Sequence, residues 1–246
     1  MADSDFGLQD FTFIKKMEMS IALVVFDLAG TTVKDGKDIH KVLRQTLAEH
    51  HVSISLEDAN AVMGIPKPVA IRQLLEQRYT GNKAITEEWI DEIHTAFVTR
   101  MISFYKHDTS VGEKDGVSET FRKLKESKLK IVVDTGFDRQ ITDPLLERLG
   151  WLENNLIDGS VTSDEVERGR PYPDMIFRAM ELTDVKDVQQ VAKVGDTASD
   201  IQEGLSAGCK YVIGVTTGAF THEQLKLERP THLIERISEL PAIVLH

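Results

Sequence analysis

Short apolar runs, rich in β-branched residues, recur along the chain and alternate with amphipathic stretches. The first, over residues 21–26, is apolar at every position and stops at Asp27. A run without polar alternation reads as a strand buried on both faces of a parallel sheet. Lys130-Ile131-Val132-Val133 stops in the same way at Asp134-Thr135-Gly136, and Val191-Ala192-Lys193-Val194 stops at Gly195-Asp196. Tyr211–Val215 leads into Thr216-Thr217-Gly218, and Asn155-Leu156-Ile157 and His232-Leu233-Ile234 are shorter strand candidates. Helical periodicity fills the gaps, over residues 117–127, 139–149, 173–182 and 199–206. Strand–helix alternation at this spacing predicts an α/β fold, a doubly wound parallel sheet with helices on both faces.

One block departs from the alternation. From Lys37 to about His107 the sequence shows helical periods and no convincing strand. Ile39, Val42, Leu43 and Leu47 form one apolar stripe. Ser55-Leu56-Glu57-Asp58 has the form of a capped helix start. Thr86 can cap a long helix that puts Trp89, Ile90, Ile93, Phe97, Met101 and Phe104 on one face. An aromatic stripe of this kind points to core or dimer packing rather than to a cofactor box. The expected organisation is a core built from residues 18–36 and 111–246, a helical insertion over 37–110, and an amino-terminal extension over 1–17.

Composition narrows the picture without changing it. The 246 residues are 41% hydrophobic, enough for a substantial core. A formal net charge of -11 argues against a nucleic-acid partner held by phosphate contacts. No apolar run has the length of a membrane span. Residues 1–17 are acidic at Asp3, Asp5 and Asp10 and lack the blocks of a secretory signal. They read as an extension, or as sequence upstream of a start at Met17 or Met19. Cys209 is the single cysteine, which excludes an internal disulfide and suits a reducing, cytoplasmic setting. Its place after Ser206-Ala207-Gly208 fits a packed residue entering a strand better than a reactive thiol.

The chemistry gathers at the strand ends. In open α/β sheets, ligands bind beyond the carboxyl ends of the strands, where Asp27, Thr135 and Asp196 all fall. Gly30 permits close backbone approach, and Thr31 and Thr32 can face an anion. Two carboxylates converging there repel unless a cation lies between them, and hard oxygen ligands beside a phosphorylated substrate favour Mg²⁺. Asp200 lies one helical turn beyond Asp196, placed to hold a metal-bound water or to orient its neighbours. Arg170, in Glu167-Arg168-Gly169-Arg170-Pro171-Tyr172-Pro173, suits phosphoryl oxygens or Asp27, and Thr135 can donate its hydroxyl to the same group. Taken singly, each has a plain reading as a turn residue, a helix cap or a surface charge. Their order and their shared position at strand ends argue for one site.

Asp27-x-Ala29-Gly30-Thr31, the strand-end Thr135, Gly169-Arg170-Pro171 and Gly195-Asp196-Thr197-x-x-Asp200 together resemble the four ordered motifs of the haloacid dehalogenase superfamily. The likeness spans nearly the whole chain from about Ile21. It implies a Rossmann-like core, a helical cap formed by the insertion, and an aspartyl-phosphate intermediate on Asp27. The metal is then Mg²⁺, held by Asp27, Asp196 and the Ala29 carbonyl, with Asp200 behind them. Most phosphatases of the superfamily carry a second aspartate where this chain has Ala29. Ala29, Arg170 in the third motif, and Met63-Gly64-Ile65-Pro66-Lys67 are similar instead to the phosphonoacetaldehyde hydrolase family. That likeness implies that Lys67 forms a Schiff base with an aldehyde or ketone, so that an enamine leaves when the carbon–phosphorus bond breaks. It also places Gly30, Thr31, Met63, Gly136 and Phe137 against the substrate.

The chain departs from this family at three positions. Its histidine three residues after the lysine is Ala70 here, its tyrosine after Thr-Gly is Phe137, and a cysteine near the first motif corresponds to Lys37. These changes leave the exact 2-oxoalkylphosphonate open. They also leave two other readings in view, a small-molecule phosphomonoesterase of the phosphoglycolate phosphatase kind and a non-enzymatic binding protein. Ala29 speaks against the former, and the complete set of Asp27, Thr135, Arg170 and Asp196 against the latter. Family analogy makes a homodimer through the cap the expected assembly.

Overall fold

A computed structural model describes residues 20–245; the amino-terminal extension lies outside the described residues. Its order is β1 (Leu23–Asp27), α1 (Asp38–Glu49), α2 (Leu56–Ala61), α3 (Lys67–Arg78), α4 (Glu87–His107), α5 (Val117–Glu126), β2 (Lys130–Thr135) and α6 (Arg139–Leu149). There follow β3 (Gly159–Thr162), α7 (Asp174–Thr183), β4 (Val191–Gly195), α8 (Ala198–Ala207), β5 (Tyr211–Val215), α9 (His222–Leu227), β6 (His232–Ile234) and α10 (Pro241–Val244). The strands form one sheet in the order β3-β2-β1-β4-β5-β6. Every neighbouring pair is parallel. From β1 the chain winds outward in one direction through β2 and β3, and in the other through β4 to β6. The carboxyl ends of β1, β2 and β4 therefore flank the crevice where this topology binds ligands.

The two-residue side-chain period assigns each strand residue to a layer. Val24 and Phe26 join Ile131, Val133, Ala192 and Val194 on one face, whereas Leu23, Val25, Val132 and Val191 meet Met175, Ile176 and Ala179 of α7 on the other. On the first face Phe26 packs against Phe121 of α5, with ring centroids 5.0 Å apart. The same layer runs on without a break into the helical insertion, through Ile141 and Leu145 of α6 to Phe97 and Met101 of α4. The insertion is thus welded to the sheet edge through α4 and α6, while α1 and α3 pack against α4. Ser55 and Asp58 form a reciprocal capping box on α2, and Thr86 caps α4 by accepting the Trp89 N–H.

One strand lies elsewhere than the apolar pattern places it. Leu156 and Ile157 are buried without entering the sheet, and β3 forms over Gly159–Thr162 instead. Asn155 takes a left-handed φ of 54° that reverses the chain. Pairing starts only where the Asp158 N–H donates to the Ile131 carbonyl and the Asp158 carboxylate accepts the Ile131 N–H. Leu156 and Ile157 fill the core beneath the turn, so their hydrophobicity marks burial and not a ladder.

Candidate active site

The crevice residues come from strand ends. Asp27 closes β1, Thr135 closes β2, and Asp196 follows β4 directly. The reversal after β1 runs through Gly30 at φ 91°, in the left-handed region. A Cβ there would stand 2.3 Å from Asp196 Oδ2. Thr31 donates its hydroxyl to Asp196 Oδ1 at 2.8 Å, and the Ala219 N–H donates to Oδ2 at 2.6 Å. Thr32 turns its hydroxyl inward to the Asp27 carbonyl. Gly30 and Thr31 thus hold Asp196 rather than line the cavity that forms above Asp27. That cavity is walled by Asp27, Ala29, Asp35, Met63, Lys67 and Thr135, with Gly136, Phe137 and Arg170 beside them.

Arg170 is fully buried and pairs with Asp27, its Nη1 lying 2.6 Å from Asp27 Oδ1. The same nitrogen is 2.9 Å from Asp200 Oδ1, Nε is 3.1 Å from Glu203 Oε2, and Nη2 donates to the Asp134 carboxylate. Lys193, in the middle of β4, is equally buried. Its Nζ reaches Asp134 Oδ1 at 2.5 Å, Asp134 Oδ2 at 2.7 Å and Glu203 Oε2 at 2.9 Å. Burial raises the Glu203 pKa to about 8, with Asp134 adding to the shift. Burial would also raise Asp134, but Arg170 and Lys193 together hold it below the usual carboxylate range. A layer of paired charge therefore underlies the nucleophile candidate and aims one face of Arg170 at it.

Lys67 is the first residue of α3, behind Pro66, and its side chain is buried. Its ammonium lies over the Phe137 ring, 5.4 Å from the centroid. It donates to the Ile65 carbonyl at 3.3 Å. Burial pulls its pKa down to about 8, Asp27 opposes the shift, and Arg170 assists it. The loop that carries it sits tightly on the sheet edge: a Cβ at Gly136 would stand 2.9 Å from the Gly64 carbonyl. The cavity beneath is small, about 30 Å³.

Sequence reasoning places Asp27, Lys67, Met63, Thr135, Gly136, Phe137 and Arg170 at the site, and the structure brings them around one cavity. Thr135 accepts the Phe137 N–H at 3.2 Å. Asp200 caps α8 through Thr197 and touches Arg170, so it faces the site through the arginine. Lys37 caps α1 outside the cavity wall. Asp35, Asp134, Lys193 and Glu203 are found only in the structure.

The acids fit a hard divalent cation. Asp27, Asp196 and Asp200 each offer a buried oxygen within 4.8 Å of the others. Among the described residues Asp200 Oδ1 accepts no hydrogen bond, although it lies 2.9 Å from the Arg170 guanidinium. Burial raises the Asp196 pKa to about 6, helped by Asp200, and burial with Asp200 raises Asp27 well above its ordinary value. Carboxylates crowded this way favour their ionised forms only when a cation joins them. Mg²⁺ should therefore raise the melting temperature, and Asp196→Asn should remove most of the rise. Because protonated Asp196 cannot ligate, Mg²⁺ affinity in calorimetric titrations should fall as the pH drops through about 6. Affinity that stays flat from pH 5 to 8 contradicts this assignment.

Comparison with known proteins agrees with the geometry. The family model described as haloacid dehalogenase-like hydrolase matches residues 24–214. The phosphonoacetaldehyde hydrolase of Bacillus mycoides (strain KBAB4) is 33% identical over 232 residues, covering 89% of this chain and 86% of that protein. That of Bacillus cereus (strain G9842) is 33% identical over 238 residues, with the same coverage. Among solved structures, a phosphonoacetaldehyde hydrolase-like protein from Oleispira antarctica superposes with a TM-score of 0.79 at 20% identity, covering 93% of this chain and 92% of that one. CbbY from Rhodobacter sphaeroides, in complex with phosphate, gives 0.74 at 18% identity, covering 89% and 96%. With its parallel sheet, strand-end acids and a family match over most of its length, the chain belongs to the haloacid dehalogenase-like hydrolases.

Proposed function

We propose that this hydrolase cleaves the carbon–phosphorus bond of phosphonoacetaldehyde or a related 2-oxoalkylphosphonate. The observation that carries the reading is Lys67, buried in the same cavity wall as Asp27, beside an alanine at position 29. An ester phosphatase expels an alkoxide and gains about 10²–10⁴ in rate from a positioned acid. Ala29 supplies none. A carbanion leaving phosphorus needs an electron sink instead, and an amine that forms an iminium with a neighbouring carbonyl provides one.

In this scheme Lys67 condenses with the carbonyl and releases water. An Asp27 oxygen attacks phosphorus, and the carbon–phosphorus pair moves into the iminium to leave an enamine. Water then releases inorganic phosphate from Asp27, while protonation at carbon and hydrolysis free the aldehyde or ketone and Lys67. Arg170 fixes the attacking carboxylate, and the Thr135 hydroxyl serves the phosphoryl oxygens. Mg²⁺, held by Asp27, Asp196 and the Ala29 carbonyl, supplies charge neutralisation when bound. The insertion acts as a cap that buries Lys67 and excludes water.

Borohydride added during turnover of phosphonoacetaldehyde should leave a reduced adduct that mass spectrometry maps to Lys67. The trapping rate should climb with pH up to about 8 and then level, as the free amine becomes the dominant form. Lys67→Ala should lose the adduct and turnover together. If no adduct forms and Lys67→Ala still hydrolyses phosphate esters, the chain is a phosphomonoesterase.

A further inference from the structure

Schiff-base formation at Lys67 needs a proton-transfer partner, a role given to no residue so far. The amine must shed protons as it attacks, and the departing oxygen must gain them. Asp27 is committed to phosphorus, and Ala70, one turn beyond Lys67, is buried and carries no polar side-chain atom. The other carboxylate in the cavity wall is Asp35.

Asp35 is a fixed group. Its Oδ1 accepts the Asp38 N–H at 2.9 Å, at the start of α1, which leaves Oδ2 for other partners. Oδ2 faces Nδ1 of His40 at 4.0 Å. His40 is almost wholly buried, and its Nε2 lies 3.1 Å from Asn60 Oδ1. In the tautomer that donates Nε2–H to that amide oxygen, Nδ1 presents a lone pair. Among the described residues Nδ1 has no hydrogen-bond partner. A buried polar atom without a partner calls for an explanation, and in that tautomer two acceptors face each other across 4.0 Å. Burial keeps the ring toward its neutral form, with Asn60 and Asp35 opposing. Both Asp35 and His40 lie within electrostatic reach of Lys67.

We propose that Asp35 is the proton-transfer group for Lys67 and that His40 is its positioning residue, the pair supplying the acid–base function that Ala70 lacks. The proposal rests on the Schiff-base reading above. Asp35 takes one proton from the Lys67 ammonium. The freed nitrogen pair bonds to the carbonyl carbon, and the carbonyl π pair moves to oxygen. A second nitrogen proton passes to that oxygen, giving a carbinolamine. Asp35 then returns its proton to the hydroxyl, the carbon–oxygen bond breaks, and the nitrogen pair closes the iminium as water leaves. Between these steps, a proton on Asp35 has His40 Nδ1 as its neighbouring acceptor, 4.0 Å away.

The test is single-turnover trapping on the full-length protein, with phosphonoacetaldehyde and borohydride, followed by mass spectrometry. Asp35→Asn preserves the contact with the Asp38 N–H and should slow adduct formation at Lys67 by about 10²–10³-fold. Asp35→Ser should be slowed similarly, and added formate should restore about tenfold, which a merely structural defect would not allow. Wild-type rates in Asp35→Asn, or a defect in Asp35→Ser that formate leaves untouched, overturn the role of Asp35 and leave the Schiff base standing. Absence of any Lys67 adduct in the wild-type protein removes the Schiff-base reading, and with it the task assigned to Asp35.

Discussion

Asp27→Asn abolishes phosphoryl transfer: turnover of phosphonates and phosphate esters alike falls by about 10⁴-fold or more, the scale on which removing a nucleophile acts. The amide still offers Arg170 an acceptor at Oδ1, so the guanidinium keeps its place. What disappears is a carboxylate held in a buried site next to Asp196 and Asp200, where burial and Asp200 push its pKa well above the ordinary value. A raised pKa means that the folded state holds a proton which the unfolded state has released, so ionised Asp27 costs stability at neutral pH. The variant should therefore melt higher than the wild type when no divalent cation is present. Each kcal/mol gained corresponds to about 2–4 °C in a chain of this size. Steady-state assays, phosphoenzyme labelling and calorimetry check the three parts. Turnover within tenfold of wild type would move the nucleophile elsewhere, with Asp196 and Asp200 as the neighbouring carboxylates.

Why the strand-end residues of the candidate site are legible in the sequence while the charges beneath them are not follows from what each residue depends on. Asp27, Thr135 and Asp196 end apolar runs, and in a parallel sheet the end of a run is a position in space. Lys67 opens α3 and Arg170 lies in a loop, away from any strand end, and only the resemblance of its local motif to a known family gave Lys67 a role. Asp134 stands beside Thr135 and reads as a turn residue, yet its side chain points under the sheet edge to Arg170 and Lys193. Lys193 did carry a signal, a single charge inside an otherwise apolar central strand, which has to be paired when buried. Its partner Glu203 sits two turns along α8, and nothing local distinguishes it from a solvent-facing glutamate. Asp35 and His40 depend on α1, the α2 turn and Lys67 meeting in space. The Leu156–Ile157 pair before β3 shows the converse limit, because hydrophobicity reports burial without saying whether a strand or a turn is buried.

Lys193 also carries the largest expected effect on stability. It has no exposed surface, and its ammonium touches Asp134, Glu203 and Asp200. Its pKa is raised: burial and Arg170 act to lower it, and Asp134, Glu203 and Asp200 outweigh them. Lys193→Met keeps most of the side chain's length and removes its charge, leaving Arg170 to face Asp27, Asp134, Asp200 and Glu203 without it. Breaking a buried pair from one side costs about 3–5 kcal/mol, because an uncompensated charge stays behind, and about 2–4 °C per kcal/mol in a chain of this size places the loss near 10 °C. Arg170 should also turn toward Asp134 and away from Asp27, so turnover falls as well. If uncompensated charge is the cause, removing a second charge returns part of the loss: Lys193→Met with Asp134→Asn, the carboxylate that stays ionised beside it, should melt higher than Lys193→Met alone. A thermodynamic cycle over the four proteins measures that coupling. A double variant no more stable than Lys193→Met would show that the lysine acts through its packing in β4, and that the charge layer beneath Asp27 does not position the arginine.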